Sequence, residues 1–370
     1  MTEQYLQEMG TRLALVLGTR PEIIKLSPIL RACETRDVQH TIIHTGQHYS
    51  EELDRLFFDQ LNLDRPDYNL QVGSKSQGRQ TGEMIADIEA VLLEEEFDMA
   101  LVQGDTNSVL AGAIATSKLD IGLGHVEAGL RSGDRAMPEE INRILTDHAA
   151  DYLFAPTDRA ATTLRGEGIP DGRISVTGNT IVDAVRQHER LADEKSTVLT
   201  DLGLGPEEYV LLTLHRAGNV DEPKRFRDIL RGVSQFAAGR DHPVVYPVHP
   251  RAKRRMGEFD LAVPDPVRIV PPQDFLDFLA LENRAEVVFT DSGGVQEETC
   301  ILGTPCVTVR DSTERPETLD VGSNELVGTD PEAIVTGGET MVEKPTDWEN
   351  PFGDGRAAEQ ILDVVVDART

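Results

Sequence analysis

Apolar runs long enough for a strand recur along the chain: RLALVLGT, HTIIHTG, DMALVQGD, IGLGHVEAG, DYLFAPT and ISVTGN. Between them lie stretches such as PEIIKLSPILRACE and QTGEMIADIEAVLLEEE, whose apolar residues return at helical spacing. Continuous apolar runs suit strands buried on both faces, and helical crossovers return the chain to the next parallel strand. After a polar, helix-like bridge near 180 to 208 the rhythm restarts with EYVLLTLH, PVVYPVH, VRIVPP, EVVFTDSGG and TPCVTVRD. The pattern predicts an α/β protein of two Rossmann-like, doubly wound parallel-sheet domains, 1–180 and 181–354, with a crevice between the carboxyl ends of their strands. The segment NPFGDGRAAEQILDVVVDA predicts a closing helix, and we expect 355–370 to pack back on the first domain.

At 370 residues the chain exceeds one ordinary core, given a prior of roughly 150 residues per domain. No run approaches the roughly 18 apolar residues of a membrane span, and the opening MTEQYLQEMGTR lacks the apolar centre of a signal peptide. A soluble, cytoplasmic protein is the expectation. Cys33, Cys300 and Cys306 are scattered and odd in number, which favours buried small hydrophobes over disulfides or metal ligands. The net charge of −29, with arginine far outnumbering lysine, repels nucleic acid and anionic membrane. Because the acids are spread along the chain, the charge predicts a halophilic, salt-adapted surface ahead of a merely acidic one.

Ionisable residues gather where the predicted strands end. GTRPEIIK, 18–25, follows the first strand but is not GxGxxG, so a nicotinamide mechanism loses its fingerprint. Arg20 and Lys25 either neutralise phosphate or form a solvated helix start. In QGDTNSV, Asp105 is either a helix cap or a cleft carboxylate. Glu127 follows a largely buried run, where a carboxylate needs a partner or a raised pKa. In PEEINRILTDHA, Ile141, Ile144 and Leu145 predict the inward stripe, with Glu139 and Arg143 on one face beside it; an ordinary ion pair is the bland alternative.

In the second half, VVFTDSGGVQEETCILG reads strand, then Ser292, Gly293 and Gly294, then helix. Glycines admit a close ligand and free amides at a helix start bind anions, so a diphosphate is the natural guest; a tight turn capped by Asp291 or Ser292 is the alternative. Glu298 lies inside that helix within reach of a ribose hydroxyl pair. Arg310 and Arg315 follow the next strand. His215, with Arg216, and His249 sit at predicted strand ends, a position that outweighs the usual structural role of a lone histidine.

Taken in order, GTRPEIIK, QGDTNS, HVEAGLRSGD, PEEINR, VTGNT, TLHRAGN, PVHP, TDSGGVQEE, RDSTERPE and NPFGDG resemble the non-hydrolysing UDP-N-acetylglucosamine 2-epimerases over nearly the whole chain. The resemblance implies a glycosyltransferase-B-like pair of Rossmann-type domains, usually dimeric, with no nicotinamide cofactor and no metal. It implies reversible inversion at the sugar C2 between UDP-GlcNAc and UDP-ManNAc, supplying sugar nucleotides for surface polysaccharide or glycan synthesis. By motif, Asp105, Glu127 and Glu139 match the family's cleft carboxylates and His215 its catalytic histidine. Arg20, Ser292, Gly293, Gly294, Glu298 and Arg315 match nucleotide-contacting positions, Lys25 and Arg143 active-site cations; His249, in PVHP, is a further substrate-binding candidate. Gln47 and His48, with Gln80, fall where bacterial relatives bind a second, activating UDP-GlcNAc. One departure is Gly218, in HRAGN, where members often carry an acid, which leaves open what orients His215.

The implied chemistry accounts for the acids. C2 has no adjacent carbonyl, so its proton is weakly acidic, and coupling its loss to departure of UDP from C1 gives 2-acetamidoglucal, to which UDP re-adds after protonation on the opposite face. That sequence needs a base and an acid near C2, and cations and amides for the departing diphosphate. The rival readings are a hydrolysing epimerase that releases free ManNAc, an epimerase of a 2,3-diacetamido UDP-sugar, a glycosyltransferase of the same fold, and a catalytically silent sugar-nucleotide sensor.

Overall fold

The structure, a computed structural model, describes residues 10–47 and 51–368. It divides into two compact units, Met1–Ala184 with Phe352–Thr370 and Val185–Pro351.

The first unit is built on a seven-stranded parallel sheet. Its strands are β1 (Arg12–Leu17), β2 (Gln39–His44), β3 (Tyr68–Asn69), β4 (Met99–Gln103), β5 (Gly122–Val126), β6 (Tyr152–Ala155) and β7 (Ile174–Val176), in the order β3-β2-β1-β4-β5-β6-β7. β1 pairs in parallel with β2 and β4, Leu13 lying opposite His40 and Met99. Residues 13–17 have no exposed surface, as a strand covered by helices on both faces requires. The closing helix Ala357–Asp367 belongs to this unit: the Ala357 and Ala358 amides donate to the Asp183 carboxylate at 3.2 and 3.1 Å, and Arg36 meets Asp363 at 2.7 Å.

The second unit carries a six-stranded parallel sheet. Its strands β8 (Val210–Thr213), β9 (Val244–Pro247), β10 (Val267–Val270), β11 (Val287–Thr290), β12 (Cys306–Thr308) and β13 (Asn324–Leu326) run in the order β10-β9-β8-β11-β12-β13.

In each sheet the strand order reverses once, between β1 and β4 and between β8 and β11. There the connecting helices depart to opposite faces and leave a crevice at the carboxyl ends of the strands. Gly18, just past β1, shows how tight the first reversal is: a Cβ there would stand 2.0 Å from Thr45 Oγ1 and 2.2 Å from Ser108 Oγ, so only glycine fits.

The three cysteines are buried and unpaired, and burial pushes the Cys33 and Cys306 thiols up to about 12. Among the described residues, no helix is long and apolar enough to cross a membrane and no cluster of three or more His, Cys, Asp or Glu suits a metal ion.

Candidate active site

In the first unit, the turns after β1, β4 and β5 converge on Glu127. Its backbone φ is 70°, a left-handed conformation that a side-chain-bearing residue adopts at a cost of order 1 kcal/mol. The side chain is buried and its Oε1 accepts from Lys25 Nζ at 2.6 Å and from Asn179 Nδ2 at 3.4 Å, while Oε2 accepts from Gln103 Nε2. A carboxylate that follows a buried strand is thus held by one cation and two amides, and the turn that holds it stores strain.

Asp105 lies one residue beyond Gly104, where an added Cβ would come within 3.8 Å of Glu127 Oε2. Thr106, not Asp105, caps the helix Asn107–Thr116, its hydroxyl accepting from the Val109 amide. The Asp105 carboxylate instead pairs with Arg143, and Asn142 donates to the Asp105 carbonyl at 2.9 Å.

The helix Pro138–Ala149 inverts the expected burial. Glu140, Asn142, Thr146 and Asp147 are its buried residues, and Leu145, expected inward, is 47% exposed. Polar groups win the inner face because each finds partners there. Glu140 accepts from the Ser132 amide and hydroxyl and the Gly133 amide, all at 2.9 Å, and Arg143 meets it at 2.8 Å. Burial alone would raise the Glu140 carboxyl, but these donors outweigh it and hold it below its ordinary value. Arg143 therefore bridges Asp105 and Glu140, in place of the ordinary Glu139–Arg143 ion pair that was the bland alternative. Glu139 itself is exposed in the first turn of the helix.

Two buried groups here were not singled out in the sequence. His125 Nδ1 meets Asp147 at 2.6 Å and its Nε2 meets the Gly104 carbonyl at 2.9 Å, tying the β5 strand to the turn that carries Asp105. Glu22 accepts from the Gly18 and Thr19 amides at 2.5 and 3.0 Å and from the Thr106 hydroxyl. Burial pushes its carboxyl up to about 7 against those donors, with the Asp105 charge adding to the rise. Arg20 is exposed, its guanidinium 5.8 Å from the Phe57 ring centroid.

Gln47 and Gln80 come together but are buried and committed: Gln47 Oε1 accepts from Ser108, whereas Gln80 Nε2 donates to the Gln47 and Gly73 carbonyls. His48 lies outside the described residues.

In the second unit, Asp291 at the end of β11 is fully buried and accepts from the His215 amide at 3.0 Å, the Arg216 amide at 3.1 Å and Asn219 Nδ2 at 3.2 Å. The same carboxylate lies 3.3 Å from His215 Nδ1. Asp291 thus fixes His215 without help from position 218, which is exposed with open space around it. Burial lowers the His215 pKa more than Asp291 raises it, and His249, whose ring lies 5.8 Å away, lowers it further.

Ser292 caps the helix Gly293–Leu302, its hydroxyl accepting from the Val295 amide at 3.5 Å. A Cβ at Gly294 would meet only Ser292 Oγ, at 3.9 Å, so the helix start faces open space. Arg216 and Arg310 converge on Glu314, which they hold down to about 2 against the effect of burial. Arg315 pairs with the buried Glu297 at 2.7 Å. Glu298 is half-buried one turn further along the same helix.

Taken by itself, the second unit holds a histidine, a row of arginines and helix-start amides suited to an anionic ligand; taken by itself, the first holds carboxylates of distinct environment suited to proton transfer. The family model described as UDP-N-acetylglucosamine 2-epimerase matches residues 31–366. A UDP-N-acetylglucosamine 2-epimerase of Methanocaldococcus jannaschii is 51% identical over 96% of this chain and 98% of its own. The crystal structure of the M. jannaschii enzyme in complex with UDP-GlcNAc and UDP superposes with a TM-score of 0.86 at 50% identity, covering 96% of this chain and all of that one. A UDP-2,3-diacetamido-2,3-dideoxy-D-glucuronate 2-epimerase of Pseudomonas aeruginosa is 38% identical over 95% of this chain and 98% of its own. The chain belongs to the UDP-N-acetylglucosamine 2-epimerase family.

Proposed function

We propose that the protein interconverts UDP-GlcNAc and UDP-ManNAc without hydrolysis, by elimination of UDP and its re-addition to 2-acetamidoglucal. The observation that carries this reading is the pair of carboxylates at the first switch point, Glu127 beside Lys25 and Asp105 beside Arg143. Two carboxylates set beside side-chain cations, one of them on a strained turn, are suited to take a proton from C2 and return one to the other face. Glu139, exposed at the start of its helix, is the third candidate. Loss of the C2 proton breaks the C1–O bond in the same elimination, forming the C1=C2 double bond and leaving the electron pair on the UDP β-phosphate.

The second unit supplies the groups for that leaving group. The free amides of Gly293 and Gly294, with Ser292 and Arg315, take up charge on the diphosphate, and Glu298 accepts from the ribose hydroxyls. His215 donates from its ring N–H to the diphosphate. The reading includes a cytoplasmic homodimer with a salt-adapted surface, Arg20 and His249 as further substrate contacts, and a second UDP-GlcNAc at Gln47, His48 and Gln80 as activator. For that last site, Gln47 and Gln80 would first have to release the hydrogen bonds described above.

Incubation with UDP-GlcNAc, followed by NMR, tests the proposal. Formation of UDP-ManNAc, and of UDP-GlcNAc from UDP-ManNAc, supports it; free ManNAc as the product assigns the chain to hydrolysis instead. The P. aeruginosa relative motivates a second substrate, a 2,3-diacetamido UDP-sugar; faster turnover of that sugar than of UDP-GlcNAc would move the assignment there.

A further inference from the structure

His125, on β5, and Asp147, on the helix Pro138–Ala149, have no exposed surface. His125 Nδ1 lies 2.6 Å from Asp147 Oδ1, and its Nε2 lies 2.9 Å from the Gly104 carbonyl oxygen. A carbonyl oxygen only accepts, so Nε2 carries a hydrogen and donates it there, while the proton between Nδ1 and the carboxyl belongs to the pair. The other Asp147 oxygen accepts from the Gly129 amide at 3.2 Å and meets Arg131 Nη1 at 2.7 Å.

These contacts close on the turns that carry two candidate acids. Gly104 immediately precedes Asp105, and β5 engages both of its backbone polar groups: the amide donates to the Val126 carbonyl at 3.1 Å, and the carbonyl accepts from His125. On the next peptide, the Asp105 carbonyl accepts from Asn142 Nδ2 at 2.9 Å. Gly104 also packs close to Glu127, since a Cβ added to it would stand 3.8 Å from Oε2. Gly129 lies two residues past Glu127, so the Asp147 carboxyl holds the segment on which Glu127 sits. One buried pair therefore grips the residue before Asp105 and the chain just after Glu127. Stability alone does not call for it, because apolar residues of similar volume at both positions would fill the space without enclosing ionisable groups. A polar pair retained in a strand whose neighbours Leu123 and Val126 are buried and apolar points to a task.

We propose that His125 is a positioning residue for Asp105: through its Nε2–H bond to the Gly104 carbonyl it fixes where the Asp105 carboxyl stands relative to Glu127. The inference rests on the reading of Asp105 and Glu127 as proton-transfer groups. His125 touches no substrate atom in this scheme. Its effect is on placement, where an error of about 1 Å costs on the order of 100-fold in rate.

The test is steady-state kinetics of UDP-GlcNAc epimerisation, with calorimetric titration of UDP, for wild type, His125→Gln, His125→Asn and Asp105→Asn. A glutamine amide nitrogen falls near the position of Nε2 and an asparagine amide nitrogen near that of Nδ1. His125→Gln thus keeps the bond to Gly104, whereas His125→Asn keeps only the bond to Asp147. His125→Asn lowers kcat by about 100-fold with KM and UDP affinity little changed, and His125→Gln stays within about tenfold of wild type. Equal losses in the two, or the larger loss in His125→Gln, overturn the positioning role, and an inactive Asp105→Asn then leaves the proton-transfer reading intact. Near-normal turnover of Asp105→Asn overturns both. Should neither histidine variant fold, nitrogen NMR of wild type with labelled histidine decides: one Nε2–H exchanges slowly with heavy water and shifts when UDP-GlcNAc is added. A spectrum without such a resonance, or one in which it ignores the ligand, overturns the proposal.

Discussion

The two switch points hold their carboxylates by different sets of partners. In the second unit Asp291 receives two backbone amides and the Asn219 side chain, and Glu314 is pinned by two arginines, so these carboxylates are fully employed in holding the turn. In the first unit Glu127 accepts from the Lys25, Gln103 and Asn179 side chains, Asp105 shares its arginine with Glu140, and Glu22, which accepts from two backbone amides, is enclosed enough that its carboxyl rises to about 7. Asp291 and Glu314 hold the turns of the second unit in place, whereas Glu127 and Asp105 are held through the side chains of Lys25, Gln103, Asn179 and Arg143. On this difference rests our proposal that the second unit holds the diphosphate and the first moves the proton.

If that contrast is functional, the largest effect belongs to the first unit. Asp105→Asn, Glu127→Gln and Glu139→Gln keep shape and remove proton transfer, and each lowers turnover by roughly 100- to 10,000-fold with UDP affinity kept. Calorimetry alongside NMR rates checks both halves of that statement. Near-normal rates in all three would shift the chemistry to His215.

Next in size is the pH dependence set by Glu22. Unfolded chains release this proton near 4.5, but folded chains keep it until about 7. Stability is therefore greatest below 4.5 on this group's account and falls as pH rises across that window, by about 3 kcal/mol. Urea titrations at intervals through the window show the decline in wild type and a flatter profile in Glu22→Gln. An equal decline in both would assign the slope to other groups.

Gly294→Val sharpens the other half of the contrast. Because its Cβ meets only Ser292 Oγ, the fold tolerates it, and UDP binding weakens by about 2 kcal/mol as the side chain crowds the helix amides. Unchanged affinity in a folded variant places the diphosphate elsewhere. The smallest effect belongs to neither site: with a net charge of −29, screening of self-repulsion by molar KCl raises Tm by about 2 to 4 °C. A flat or falling curve removes the salt-adapted surface.

Strands buried on both faces were legible as apolar runs, and the turns after β1, β4, β8 and β11 drew attention through their charges. Two edge strands were not. Tyr68–Asn69 and Asn324–Leu326 have two and three residues and one sheet neighbour each, too little burial to impose a pattern. The helix Pro138–Ala149 was misread for a deeper reason: apolar spacing identifies an inward face only where the core is apolar, and here it faces a polar network. The buried setting of Glu22 arises from residues distant in sequence, Thr106 among them, and no local window contains it.

The account stands or falls on the fate of the C2 proton. With UDP-GlcNAc in heavy water, proton NMR of the epimerised product should show deuterium at C2, delivered by a carboxyl that has exchanged with solvent. Product that retains its C2 proton through many turnovers would contradict elimination and re-addition by separate groups on two faces of the sugar.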